Sequence, residues 1–115
     1  MKGILIRREK ASGFRKALLA KNIKFFEETK NFYCLFLFPD SDYEIRGEEK
    51  WSYLTEGPIE EIPVDGKTFK IDGGKNLIDL FAPQFIEKGL KVKLEEPDVT
   101  FRVHRWGSEY LISVS

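Results

Sequence analysis

The sequence predicts an α+β fold: an N-terminal β-α-β element, then a mixed sheet with one further helix. Three observations carry that expectation. Residues 3–6 and 32–38 are short apolar runs suited to buried strands, and between them Phe14, Ala17 and Leu18 recur at helical spacing. Residues 76–88 hold a second helical pattern, with Leu77, Leu80, Phe81 and Phe85 along one side. Residues 90–94, 99–103 and 110–114 read as strands, the first by clean alternation and the last two as a closing pair.

Taken in chain order, the run 3–6 opens as a buried strand. Ser12 offers an N-cap for the first helix, because its hydroxyl can accept from an orphan backbone N–H, and Asn22 suits the helix's end. Residues 23–26 and 32–38 are the next two strands, joined near 28–31; the second is apolar on both faces and belongs in the middle of a sheet. Pro39, Asp40, Ser41 and Asp42 end it. Residues 51–54 and 59–62 read as short edge strands around the Gly57-Pro58 turn, and Asp65-Gly66 is a hairpin dipeptide between 62–64 and 67–71. Gly89 caps the second helix, and Pro83 inside it predicts a kink or a break. Pro97-Asp98 turns the chain into the closing strands.

The 115 residues are one compact domain, 1–115, by the usual length prior, with two small subdomains meeting near residue 56 as the alternative. No apolar run approaches the length of a membrane span, and the apolar core of the N-terminus is too short for a signal peptide. A cytoplasmic protein is the simplest expectation. The lone Cys34 excludes a disulfide framework and a cysteine-built zinc site. The lone His104 excludes a mechanism that needs two imidazoles.

The balance of 19 basic and 19 acidic residues hides an uneven layout. Residues 1–30 carry nine basic side chains against three acidic, residues 31–66 two against nine, and residues 67–115 eight against seven. The opposed blocks either neutralise each other within the fold or form separate faces, a basic one for a polyanion and an acidic one for solvent or a partner.

Catalytic and metal patterns fail one by one. His104 falls among arginines, which disfavour its protonated form, and Cys34 lies among Phe and Leu with no charge to activate it. Asp40, Asp42 and Glu44 alternate like a calcium loop, but Ile45 and Trp51 stand where glycine and a carboxylate are required. Gly73-Gly74-Lys75 lacks the rest of a phosphate loop, although two glycines before a helix leave its N-terminus open to a phosphate. Glu48-Glu49 and Glu60-Glu61 point to opposite faces as strand neighbours, so neither is an acid/base pair. The expectation is no cofactor, no metal and no catalytic residue of the chain's own. Tyr43, Trp51, Tyr53 and Trp106 lie in polar surroundings and are candidates for base stacking, the alternative being that the tryptophans close the edges of the core.

The C-terminal third resembles the end of a THUMP domain. The resemblance covers residues 67–115 and rests on Val92-x-Leu94-x-x-Pro97-Asp98-Val99-Thr100-x-x-Val103, with the helix after Gly73-Gly74 before it and residues 109–113 after it. It implies a THUMP-like RNA-binding module beside a ferredoxin-like subdomain, with which the N-terminal β-α-β element is compatible. It further implies recognition of the tRNA acceptor end, with chemistry done by an attached methyltransferase, thiouridine synthetase, deaminase or pseudouridine synthase. No catalytic domain fits in 115 residues. On that resemblance the chain is a stand-alone RNA-binding protein, an adapter for tRNA or RNA processing, with a separate catalytic subunit as partner. The candidate RNA-binding residues are Arg7, Arg8, Arg15, Lys16, Lys75, Lys91, Lys93, Arg102, His104, Arg105 and Trp106, provided the first helix and the final sheet share a face. The alternative is a protein-interaction module that uses the acidic segment 40–66; a small enzyme acting on a nucleotide through Lys, Arg and carboxylates is a third reading.

Overall fold

A computed structural model describes residues 1–40, 50–64 and 66–115. The described residues form eight strands and two helices, an α+β architecture, and divide into two compact units, Met1–Ser52 and Tyr53–Ser115. Tyr43, Asp42, Glu44 and Asp65 lie outside the described residues.

In the first unit β1 (Lys2–Arg7) runs straight into α1 (Arg8–Ala20). Ser12 therefore sits inside the helix and caps nothing. No side chain caps the start; the backbone N–H of Arg8 donates instead to the carbonyl of Phe32 at 2.8 Å, so tertiary structure satisfies the orphan donor. Ala11 and Leu18 are buried and Phe14 half-buried, at i, i+3 and i+7, while Ala17 is exposed. Asn22 ends the helix as expected: it takes φ 56°, and the N–H groups of Asn22 and Ile23 close back onto the carbonyls of Leu19 and Leu18. That is a Schellman cap, with an apolar pair (Leu18 and Ile23) across it.

The strand expected at 23–26 is displaced. β2 spans Phe26–Lys30, because Ile23 completes the helix cap and both Ile23 and Phe25 turn their side chains onto the core. β3 (Tyr33–Leu37) lies between β2 and β1, antiparallel to both, and is the buried central strand that its two apolar faces predict. Cys34 and Phe36 face α1 together with Ile4, and Phe14 and Phe25 pack on Phe36 at ring separations of 4.9 and 5.6 Å. Gly3 is required where β1 crosses β3, since a Cβ there would overlap the Phe36 carbonyl oxygen.

The second unit holds β4 (Ser52–Thr55, all but its first residue), β5 (Thr68–Asp72), α2 (Lys75–Glu87), β6 (Lys91–Val92), β7 (Val99–Trp106) and β8 (Glu109–Val114), with strand order β4-β8-β7-β5-β6. β5 pairs in parallel with β7 on one side and β6 on the other; β7 and β8 form the antiparallel closing pair. Residues 62–64 form no strand and β5 has parallel partners on both sides, so no hairpin pairs 62–64 with 67–71. Residues 59–62 form a turn, not an edge strand, in which the N–H of Ile62 donates to the carbonyl of Ile59 at 3.0 Å. Both isoleucines are buried nonetheless, and Gln84 and Lys88 of α2 hold the segment through the carbonyls of Gly57 and Ile59.

α2 continues through Pro83 as one helix. Phe81 and Phe85 enter the same core on either side of the proline, and Phe85 stacks on Phe101 at 3.9 Å, so the helix is not broken there. Gly89 (φ 100°) and Leu90 close α2 with the same Schellman geometry as α1. The alternation at 90–94 has no buried face beyond Leu90: Val92 is 52% and Leu94 74% exposed, because β6 is a two-residue strand at the sheet's edge. The Pro97-Asp98 turn has a different task from ending a strand. The Asp98 carboxylate accepts from the N–H groups of Lys67 and Thr68 at 2.8 and 3.1 Å, and the Asp98 N–H donates to the Thr68 hydroxyl. These bonds tie the start of β7 to the start of β5 and hold the carboxyl below its usual value of 3.8.

Candidate nucleic-acid interface

Parallel β5 and β7 bring their carboxyl ends to one side of the second unit, and the chain leaves β5 there to begin α2. Ligand sites in parallel βα units form at this end, where the helix presents unpaired N–H groups. Gly73 allows the tight exit: a Cβ on it would come within 3.2 Å of the Val103 carbonyl oxygen. Gly74 is the N-cap, with extended backbone, no side-chain cap and no acidic residue in the first turn. The start of α2 is thus an open, positively polarised terminus.

Lys75 occupies its first position, and β7 brings Arg105 to the same place. Alternation puts Arg105 on the side of β7 that carries Phe101 and Val103, but both of those are buried and Arg105 is exposed. Arg105 and Tyr110 are register partners across β7 and β8, flanking the Gly107-Ser108 turn, and the guanidinium lies 5.1 Å from the Tyr110 ring centroid. The buried Phe81 meets the same ring edge-on at 5.2 Å, so the core fixes the tyrosine and the tyrosine fixes the arginine. Lys75, Arg105 and Tyr110, with Gly74, Asn76, Leu77 and Leu80, line a surface cavity of ≈ 310 Å³. It offers two cations, backbone donors and one aromatic wall, a set suited to a phosphate with an attached planar or apolar group.

The other candidate residues are distributed as follows. Arg102 pairs with Asp72 at 3.3 Å, both exposed, and His104 shares its face of β7 by alternation. Lys91 is exposed in the edge strand β6, and Lys93 directly after it. Trp106 is 7% exposed and Tyr53 6%, which places both rings in the core; Trp51 is half-buried, edge-on to Phe38 with the Lys2 ammonium over its ring. In the first unit Arg7, Arg8 and Lys16 are exposed, and Arg15 is clamped by the Glu27 carboxylate, which raises its pKa. Tyr110 was legible only through the hairpin: the two-residue Gly107-Ser108 turn dictates the Arg105–Tyr110 pair. Among the described residues no cluster of His, Cys, Asp or Glu could hold a metal ion, and no helix is long and apolar enough to cross a membrane.

No family model and no curated protein matches the sequence. Solved structures do. The whole chain superposes on 41% of a 4-thiouridine synthetase solved as an RNA complex with bound ATP, with a TM-score of 0.60 and 17% identity. It also superposes on 54% of a protein from Pyrococcus horikoshii Ot3, with a TM-score of 0.59 and 11% identity. The chain therefore shares its fold with these proteins and spans about half of their length or less. A thiouridine synthetase is among the enzymes that the sequence resemblance implies, and the likeness seen here is one of fold, over the whole chain.

Proposed function

We propose that this chain is a THUMP-like RNA-binding module, an adapter that holds tRNA, or another RNA undergoing processing, for a separate catalytic subunit. The observation that carries the reading is the convergence of Lys75 and Arg105 on the uncapped start of α2. Phosphate oxygens are the natural ligands of that group: the helix N–H groups and the two cations supply charge-assisted donors, and Arg105 is held ready by Tyr110. The fold shared with a synthetase crystallised on RNA supports the same class of ligand. Arg102 has a minor part, because its charge is already opposed by Asp72.

Charge reversal tests this. Lys75→Glu with Arg105→Glu should weaken binding to bulk tRNA by about tenfold or more, the worth of losing charge-assisted bonds. Both positions are exposed, so far-UV circular dichroism and the thermal midpoint should stay near wild type. Unaltered tRNA affinity in the double variant would remove the cavity from the interface.

A further inference from the structure

The first unit carries a patch of exposed aromatic side chains that none of the preceding sites uses. Phe32 is 79% exposed at the tip of the β2–β3 hairpin, and Tyr33, the first residue of β3, is 39% exposed, although the rest of β3 is buried. Register places cations on both sides of the tyrosine: Tyr33 is opposite Lys30 on β2 and opposite Arg7 on β1, so all three side chains lie in one row on one face of the sheet. Asn31, at φ 53°, turns the hairpin, and the Arg8 N–H holds the Phe32 carbonyl at 2.8 Å, fixing the aromatic tip against the start of α1. In the next row inward on that face Leu35 is fully buried, Leu5 half-buried and Glu28 exposed, and along β2 the same face ends in Phe26, 54% exposed.

The geometry points to a stacking platform for unpaired nucleotides: Phe32 and Tyr33 receive one or two bases, and Arg7, Arg8 and Lys30 receive the flanking phosphates. The inference rests on the RNA-binding reading and adds its substrate class, single-stranded rather than duplex RNA. Charge complementarity selects this occupant. An apolar protein partner has no use for three cations around two rings, whereas a nucleotide presents both a π-face and an anion. A duplex hides its bases and would meet only the cations.

The test uses the full chain with a short single-stranded RNA carrying 2-aminopurine and with a hairpin duplex of equal length. Wild type should bind the single strand and quench 2-aminopurine. Phe32→Ala with Tyr33→Ala should lose single-strand affinity by about fivefold or more and lose the quenching, with duplex binding little changed. The pair Phe32→Leu and Tyr33→Leu, which keeps apolar bulk, should lose the quenching equally. If wild type binds neither RNA, the RNA-binding reading itself fails. If wild type binds but the alanine pair retains affinity and quenching, or the leucine pair does, the platform is wrong and the RNA-binding reading stands on the other unit.

Discussion

The two helices of the described residues end alike and begin differently. α1 and α2 both close with a Schellman cap, on Asn22 and Gly89. At its start α1 is sealed: its first N–H bonds to the Phe32 carbonyl, and Glu9 lies in its first turn, where a carboxylate complements the dipole. α2 has Gly74 where a capping side chain would stand, no acid in the first turn, and Lys75 and Arg105 beside it. A helix that needs only to fold is better served by the first arrangement. The second leaves donors and positive charge without an internal answer, which is why we propose an anion site at the start of α2 and read the start of α1 as a structural joint.

The largest test of the comparison concerns what holds each helix down. Phe36 lies under α1 and Phe101 under α2, both fully buried, and truncation of either to alanine should cost about 3–5 kcal/mol in denaturant unfolding. A loss below about 1 kcal/mol would show that the helix above it is held elsewhere. A smaller effect sharpens the contrast in function. Gly74→Asp supplies the missing cap at a position where nothing lies within 4 Å of the new Cβ. It should raise stability by about 0.5 kcal/mol while weakening RNA binding, since the carboxylate would fill the place proposed for phosphate. Improved stability with unchanged binding would mean that the open terminus has no ligand.

The smallest effect is present at neutral pH and fades in acid. The folded-state pKa of Asp98 is lowered by hydrogen bonds from the N–H groups of Lys67 and Thr68, so its contribution is present above the usual value of 3.8 and is lost as pH falls through the folded value. Asp98→Asn should therefore be less stable than wild type at neutral pH, with the gap shrinking below about pH 4 as the wild-type carboxyl protonates. A gap independent of pH would show that the ionised form is not what ties β5 to β7.

Much of this is readable in the sequence where the pattern answers to burial on both sides. The run 32–38 and the closing pair 99–114 have core residues that admit one placement, and so do Phe81 and Phe85 of the expected helical side, although Leu77 on that side is half-buried and Leu80 is 40% exposed. The errors fall where tertiary contacts replace local signals. Ser12 is a good cap, but Phe32 supplies the acceptor four residues earlier. Residues 90–94 alternate, but an edge strand has no second layer to bury Val92 or Leu94. Of the candidate site, Gly73-Gly74-Lys75 and Arg105 were visible as residue types; their meeting was not, because the parallel β5–β7 pairing joins positions some thirty residues apart. Trp106 shows the converse, since polar neighbours in sequence do not prevent a tryptophan from facing the core.

The most direct test of the central claim is the salt dependence of tRNA binding by wild type and by the Lys75→Glu, Arg105→Glu variant, with heparin as a polyanion control. The expected result is wild-type binding that prefers tRNA over heparin and weakens with salt. The variant's slope of log K against log salt should be shallower by roughly 0.7–0.9 for each phosphate that it no longer neutralises. Absence of wild-type binding at low salt, or equal slopes for the two proteins, would contradict an RNA site at the start of α2.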